Sequence, residues 1–201
     1  MTSSTTPPAT PPATKTVEFL FDYASPWAFL ANAVLPQRLP GVEIFYRPVY
    51  LAGFDTFAKG MPYTPAKLNY LLRDFQRCAR HEGVTPVFPP TFPINGLYAL
   101  RGAIAAQQLG CFDDYHAVMF DAAWGQGRDI ANKAAVEALA REVGLGAVAE
   151  ALDDPALKQA LRDNTSSAAA RGVFGVPAFF VGDELFWGYD RLDYVVREVH
   201  K

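Results

Sequence analysis

A strand that runs almost directly into a helix with a marked start, followed by a second strand, restricts this chain more than any other feature. Thr16-Val17-Glu18-Phe19-Leu20-Phe21-Asp22 is apolar on both faces toward its end, as a central, doubly covered strand must be. Tyr23-Ala24 intervenes, then Ser25 can accept the free N–H groups of a helix start while Pro26 occupies its first turn. The helix carries Trp27, Leu30 and Val34 on one face and stops by Pro40-Gly41, with Pro36 expected to distort its last turns. From Val42 to Val49 the residues Val42, Ile44 and Tyr46 alternate with Glu43, Phe45 and Arg47, the period of a strand. Strand, helix, strand in this order predicts a right-handed crossover joining a parallel pair.

The middle of the chain reads as helices over 65–82, 95–109, 112–123, 132–143 and 154–171. Thr64, Asn95, Asn132 and Asp154 are their caps, and Gly83, Gly110, Gly144 and Gly172 mark stops. Leu68, Leu72 and Phe75 keep helical spacing, as do Val136, Leu139 and Val143. The end returns to β-structure. Val176 to Val181 is a strand, Gly182-Asp183-Glu184 a hairpin turn, Leu185 to Trp187 the return strand, and a last helix runs from an Asp190 cap to about Val199. A βαβ unit, a helical block and a ββα unit together predict an α/β protein of thioredoxin-like fold with a large all-helical insertion. The domain would span 16–201 with the insertion at about 54–171. The Thr- and Pro-rich stretch 1–15 should be a disordered tail.

Composition narrows the function classes. A length of 201 residues suits one domain, and 50% hydrophobic residues suffice for a core. A net charge of -3 argues against nucleic acid or an anionic membrane as partner. No apolar run approaches the roughly 20 residues of a membrane span, and the start lacks the apolar core of a secretory signal, so a cytoplasmic location is the expectation. Cys78 and Cys111 form no C-x-x-C and read as buried small hydrophobes. No metal site is expected. His81 and His200 fall at helix C-termini, and His116 reads as a packing or surface residue.

Two places become chemically suggestive once the fold brings them together. Ser25 begins the first helix, and Gly175-Val176-Pro177 precedes the third strand, a loop that faces that helix start in a thioredoxin topology. In thioredoxin-like proteins this proline is cis, which leaves the preceding backbone free to pair with an extended thiol peptide. Free N–H groups and the helix dipole favour a thiolate there. Alone, Ser25 could be an ordinary cap and Pro177 an ordinary strand-head proline. A serine at the redox position can donate a hydrogen bond to a bound thiolate without itself being oxidised. No His–Asp pair can be assigned to Ser25, which argues against a serine-hydrolase mechanism.

Phe21-Asp22-Tyr23-Ala24-Ser25-Pro26-Trp27-Ala28-Phe29-Leu30-Ala31 resembles the opening motif of 2-hydroxychromene-2-carboxylate isomerases and kappa-class glutathione transferases, which share a DsbA-like thioredoxin fold. Tyr46-Arg47-Pro48, Pro65-Ala66-Lys67, Phe92-Pro93-Ile94-Asn95, Gly172 to Pro177 and Phe186 to Leu192 match further motifs in the family order. The resemblance implies glutathione or another low-molecular-weight thiol as cofactor. Ser25 would activate its sulfur, the backbone at Val176 before Pro177 would pair with its cysteinyl segment, and Tyr189 and Asp190 would hold its γ-glutamyl end. Asp190 could instead be only a helix cap. Asn95 would cap its helix or line the pocket, and Trp27 and Trp187 would flank an aromatic substrate. The implied reaction is isomerisation of a small aromatic keto or hydroxy acid, possible in a homodimer. The alternatives are a kappa-like glutathione transferase or, from another class, a non-catalytic binding module. One departure stands out: where many members carry a Lys and a Gly-Asn pair, this chain has Phe57, Gly60 and Met61, with Lys59 nearby.

Overall fold

In the computed structural model, which describes residues 16–201, the expected order of elements is present. The tail expected at 1–15 lies outside the described residues. Strand β1 (Thr16–Phe21), helix α1 (Pro26–Arg38) and strand β2 (Glu43–Pro48) form the first unit. Helices α2 (Pro65–His81), α3 (Leu97–Leu109), α4 (Phe112–Phe120), α5 (Lys133–Glu142), α6 (Gly146–Ala151) and α7 (Pro155–Ala170) fill the middle. Strands β3 (Ala178–Val181) and β4 (Glu184–Trp187) and helix α8 (Leu192–Val199) close the chain. The sheet order is β2-β1-β3-β4, with β1 parallel to β2 and antiparallel to β3, and β3 antiparallel to β4.

The central position of β1 explains its unbroken apolar run. Val17, Phe19 and Phe21 join the larger core with α1, α3 and α4, while Leu20 joins Val49, Phe54, Ala168 and Phe180 in a second cluster. Phe19 lies opposite Phe179 in the register, and their rings stack at 5.2 Å. Burying a side chain of this size is worth roughly 1.5–3 kcal/mol.

Several local expectations are corrected. Helix α1 runs through Pro36 to Arg38, and Leu39 N–H still reaches Leu35 C=O at 2.9 Å. Helix α3 begins at Leu97, not after Asn95, because the Asn95 carboxamide bonds two residues on, to Leu97 N–H at 3.1 Å. This is the local turn that asparagine makes in competition with a cap. Helix α4 gives way after Phe120 to one wider, π-type turn over Asp121–Gly125, closed by Gln126 N–H to Asp121 C=O at 2.8 Å. A side chain at Gly125 would meet Asp121 Oδ1 at 2.1 Å and would push that carboxylate aside. The turn delivers Trp124 to full burial, where its indole N–H donates to Tyr23 C=O at 2.8 Å. Helix α6 had no predicted counterpart. The last helix starts at Leu192 behind a short 3-10 turn, Tyr189–Arg191, and Asp190 does not cap it.

His116 resolves to packing. It is buried against Phe21, Phe112 and Phe120, with Nδ1 3.0 Å from Tyr23 Oη and Nε2 2.9 Å from Asn32 Oδ1. Both contacts are satisfied by the neutral ring, Tyr23 donating to Nδ1 and Nε2–H donating to Asn32. Burial pushes the imidazole from its ordinary 6.5 down to about 3. The unfolded chain therefore binds this proton first, and stability is lost as pH falls from 6.5 toward 3. Replacing His116 by Gln should remove about 2 kcal/mol of acid sensitivity between about pH 6.5 and 4.5, read as the difference in urea unfolding free energies of the two proteins.

Candidate active site

The N-terminus of α1 is set by two residues. Ser25 is in extended conformation (φ -96°, ψ 116°), its Oγ accepts from Ala28 N–H at 3.2 Å, and Pro26 opens the first turn. The hydroxyl proton is directed across to Val176 C=O at 3.4 Å. The Val176–Pro177 peptide is cis, and Pro177 C=O accepts from Gly188 N–H at 2.9 Å, so the same loop also fixes the turn that carries Tyr189 and Asp190. The meeting of the helix start and the proline loop, 151 residues apart in the chain, is thus direct.

Beneath the turn sits Asp22, which is fully buried. Oδ1 accepts from Ala24 N–H at 2.9 Å, Oδ2 from Leu51 N–H at 2.8 Å, and its own C=O from Ser25 N–H at 3.0 Å. A Cβ at Gly96 would stand 2.2 Å from Oδ1, so the start of α3 closes over the carboxylate only because that residue is glycine. Burial raises the carboxyl from 3.8 to about 6, against the lowering effect of the two backbone donors.

In front of Ser25 opens a cavity of about 520 Å³ between the α1 start, the turns over 50–63, helix α2, the loop 92–95, the proline loop and the turn 187–190. All eight residues expected at the site, Ser25, Trp27, Asn95, Val176, Pro177, Trp187, Tyr189 and Asp190, line it. Trp27 is half-buried, edge-on to Phe75 at 5.6 Å and stacked on Tyr189 at 6.2 Å. Trp187 stays 45% exposed beside Phe174. The Tyr189 hydroxyl donates to Glu82, which also holds Arg38 at 2.8 Å. Burial, and then that carboxylate, push the phenol well above its ordinary range. The largely exposed Asp190 carboxylate pairs with Arg191 at 2.9 Å. Asn95 accepts from Tyr50 Oη at 3.4 Å as well as from Leu97 N–H. Phe57, Gly60 and Met61 all line the cavity.

The cysteines correct another expectation. Both are partly exposed, and Cys78 on α2 lines the cavity. Burial first, then the carboxylates of Asp74, Asp190 and Glu82, raise its thiol pKa. Sequence reasoning also passed over Asp22 and the cavity face of α2. The Leu68, Leu72, Phe75 stripe is visible as helical periodicity, but that signal does not separate a core wall from a cavity wall: Phe75 is fully buried and Leu68 and Leu72 are not. Among the described residues, no three His, Cys, Asp or Glu side chains gather as a metal site, and no helix is long and apolar enough to cross a membrane.

A cis-proline loop set against a capped helix start defines a thioredoxin-class site. The chain belongs to the family of DSBA-like thioredoxin domains, whose model matches residues 16–200. It is 34% identical to 2-hydroxychromene-2-carboxylate isomerase of Sphingobium xenophagum over 90% of this chain and 96% of that one. To human glutathione S-transferase kappa 1 it is 25% identical over 90% of this chain and 89% of that one. A solved structure of the selenomethionine form of 2-hydroxychromene-2-carboxylate isomerase superimposes with a TM-score of 0.79 at 30% identity, covering 92% of this chain and 94% of that one.

The raised Asp22 carboxyl predicts a pH dependence opposite to that of His116. The folded state holds this proton more tightly than the unfolded chain, so Asp22 adds stability as pH falls through 6 toward 3.8 and withdraws it as pH rises. The advantage of the native protein over Asp22→Asn should therefore grow by about 2 kcal/mol between about pH 7 and 4.5, measured by denaturant unfolding at the two values.

Proposed function

We propose that this protein is a glutathione-dependent isomerase of the 2-hydroxychromene-2-carboxylate type, acting on a small aromatic keto or hydroxy acid. The observation that carries the reading is Ser25 hydroxyl and Val176 carbonyl facing each other beside the α1 N-terminus, at the mouth of an apolar cavity. The chemistry of these groups fits a small thiol. Helix N–H groups and a hydroxyl suit a thiolate, the backbone at Val176 suits an extended peptide, and Asp190 suits an ammonium group.

A bound thiol supplies a sulfur nucleophile that adds to a conjugated carbon and is later expelled, leaving a single bond free to rotate in between. The chain's own part is electrostatic and positional. Ser25 Oγ accepts from Ala28 N–H, so its one proton has two claimants, Val176 C=O and the cofactor sulfur. At 3.4 Å the bond to Val176 is well beyond the usual O–H···O distance of about 2.8 Å, so it is weak and cheap to release. Trp27 and Trp187 offer ring faces to an aromatic substrate, and the α2 wall excludes water.

Ser25→Ala should raise the pKa of the bound cofactor thiol by about 1–2 units, the equivalent of losing a hydrogen bond to a charged group. Turnover should fall without vanishing, since the helix N–H groups remain. Thiolate absorbance against pH in the glutathione complex gives the answer, and superimposable curves would sink the proposed role of Ser25. Release of chloride from a chlorinated aromatic without isomerisation would favour a transferase instead.

Asp190 caps no helix and its carboxylate is largely exposed, so Asp190→Ala should leave the melting temperature unchanged. An exposed charge pair is worth up to about 1 kcal/mol, so glutathione affinity should drop by no more than about fivefold. Calorimetric titration beside a melting curve separates the two effects, and an unchanged affinity would remove Asp190 from the cofactor site.

A further inference from the structure

An aromatic acid needs a partner for its charge, and the cavity lining contains no Lys, Arg or His. The partner must therefore stand at the rim. Among the described residues, three cations touch lining residues through an ion pair or a ring. Two of them are neutralised, Arg77 by Asp74 at 3.3 Å and Arg191 by Asp190 at 2.9 Å. The third is Lys67, whose Nζ lies 4.7 Å from the centre of the Tyr63 ring. Tyr63 lines the cavity and meets Phe57, another lining residue, edge to face at 6.3 Å. Lys67 itself is exposed, and no carboxylate among the described residues pairs with it. Lys59, in the turn between Phe57 and Gly60, is also exposed but touches no ring of the wall.

Helical register places Lys67 one turn ahead of Leu71 and in line with Asp74 and Cys78, all three of which line the cavity. A ring positions an ammonium without cancelling its charge, and it leaves the N–H donors to a second partner. The first turn of α2 carries no acidic residue, so nothing there offsets the positive end of that helix. An acid seated here keeps its carboxylate near water, where pairing with an ammonium involves little desolvation, and gives only its ring to the apolar wall. We propose that Lys67 is a specificity-determining residue of this cavity: its ammonium receives the carboxylate of the aromatic acid at the rim while the ring lies against α2. That the acid is a substrate rests on the isomerase reading; that it binds here rests on Lys67 and the lining.

The test uses 2-naphthoate and 2-naphthamide, which match in size and differ in charge, titrated calorimetrically near neutral pH and low salt without any thiol. The full-length native protein should bind the carboxylate about three- to fivefold more tightly than the amide, the range of an exposed charge pair. Lys67→Gln should close that gap by weakening the carboxylate alone, Lys67→Arg should keep most of it, and Lys59→Gln should leave it unchanged. Added salt should weaken the carboxylate in the native protein and not in Lys67→Gln. Equal binding of the two probes by the native protein, failure to bind either, or an unchanged gap in Lys67→Gln overturns the proposal. Should that variant not fold, Lys67→Met is read in the same way. Glutathione also carries carboxylates, so it is titrated beside the probes: a Lys67→Gln protein that loses glutathione affinity and keeps its naphthoate preference would give Lys67 to the cofactor and overturn the inference. Naphthoate preference through Lys67 without glutathione binding would fail the isomerase reading and leave this inference standing, and glutathione binding without that preference would do the reverse.

Discussion

The whole site hangs on one buried carboxylate. Asp22 closes the turn between β1 and α1 through Ala24 N–H and, with its other oxygen, takes Leu51 N–H from the segment after β2. Gly96 presses against it from the start of α3. Three segments that wall the cavity thus share one anchor, and the backbone of Ser25 is bonded to that same residue. Burying an unpaired carboxylate is unfavourable, yet leaving two backbone donors unsatisfied would also be, at about 1–3 kcal/mol each. The compromise is a carboxyl that is half-willing to hold a proton, raised to about 6.

Asp22 and His116 then titrate against each other. Between about pH 6.5 and 4.5 each contributes about 2 kcal/mol with opposite sign, so the native protein should feel little net change from the pair in that range. Below about pH 4 Asp22 has no more to add, while the folded His116 still resists its proton, and acid sensitivity sets in. Both groups contact the β1–α1 turn, His116 through Tyr23 Oη and Asp22 through Ala24 N–H.

What could be read in the sequence follows from which interactions are local. Strand β1 announced its central place by its two-faced apolar run, and Ser25 with Pro26 marked the start of α1, because a cap is a local interaction. The register of Val176 against Ser25 was legible only through the fold, since nothing near either residue in the sequence points to the other. An aspartate just ahead of the apolar stripe of the last helix predicts a cap, and the chain instead inserts a 3-10 turn before α8 and pairs the carboxylate with Arg191. Asp22 escaped notice because an aspartate after a strand looks like any turn residue until Leu51 and Gly96 arrive from elsewhere. Cys78 and the α2 wall escaped for a related reason: one helical stripe serves the core at Phe75 and the cavity at Leu68, and periodicity alone does not divide them.

On the isomerase reading proposed above, serine rather than cysteine at position 25 suits a site that has to hold a thiolate and let it go. A thiol of ordinary pKa about 8.5 is mostly protonated at neutral pH, and each unit of stabilisation makes it more available but intrinsically less nucleophilic. The best compromise lies near ambient pH, so one or two units are useful and four would be wasteful. The helix N-terminus and a single hydroxyl supply stabilisation of that order. A cysteine in the same field would carry the lowered pKa itself and could close a disulfide with the cofactor under oxidising conditions. The long bond from Ser25 to Val176 completes the balance: the hydroxyl is kept oriented across the mouth of the cavity, yet so loosely that a sulfur arriving there takes the proton's attention at little cost.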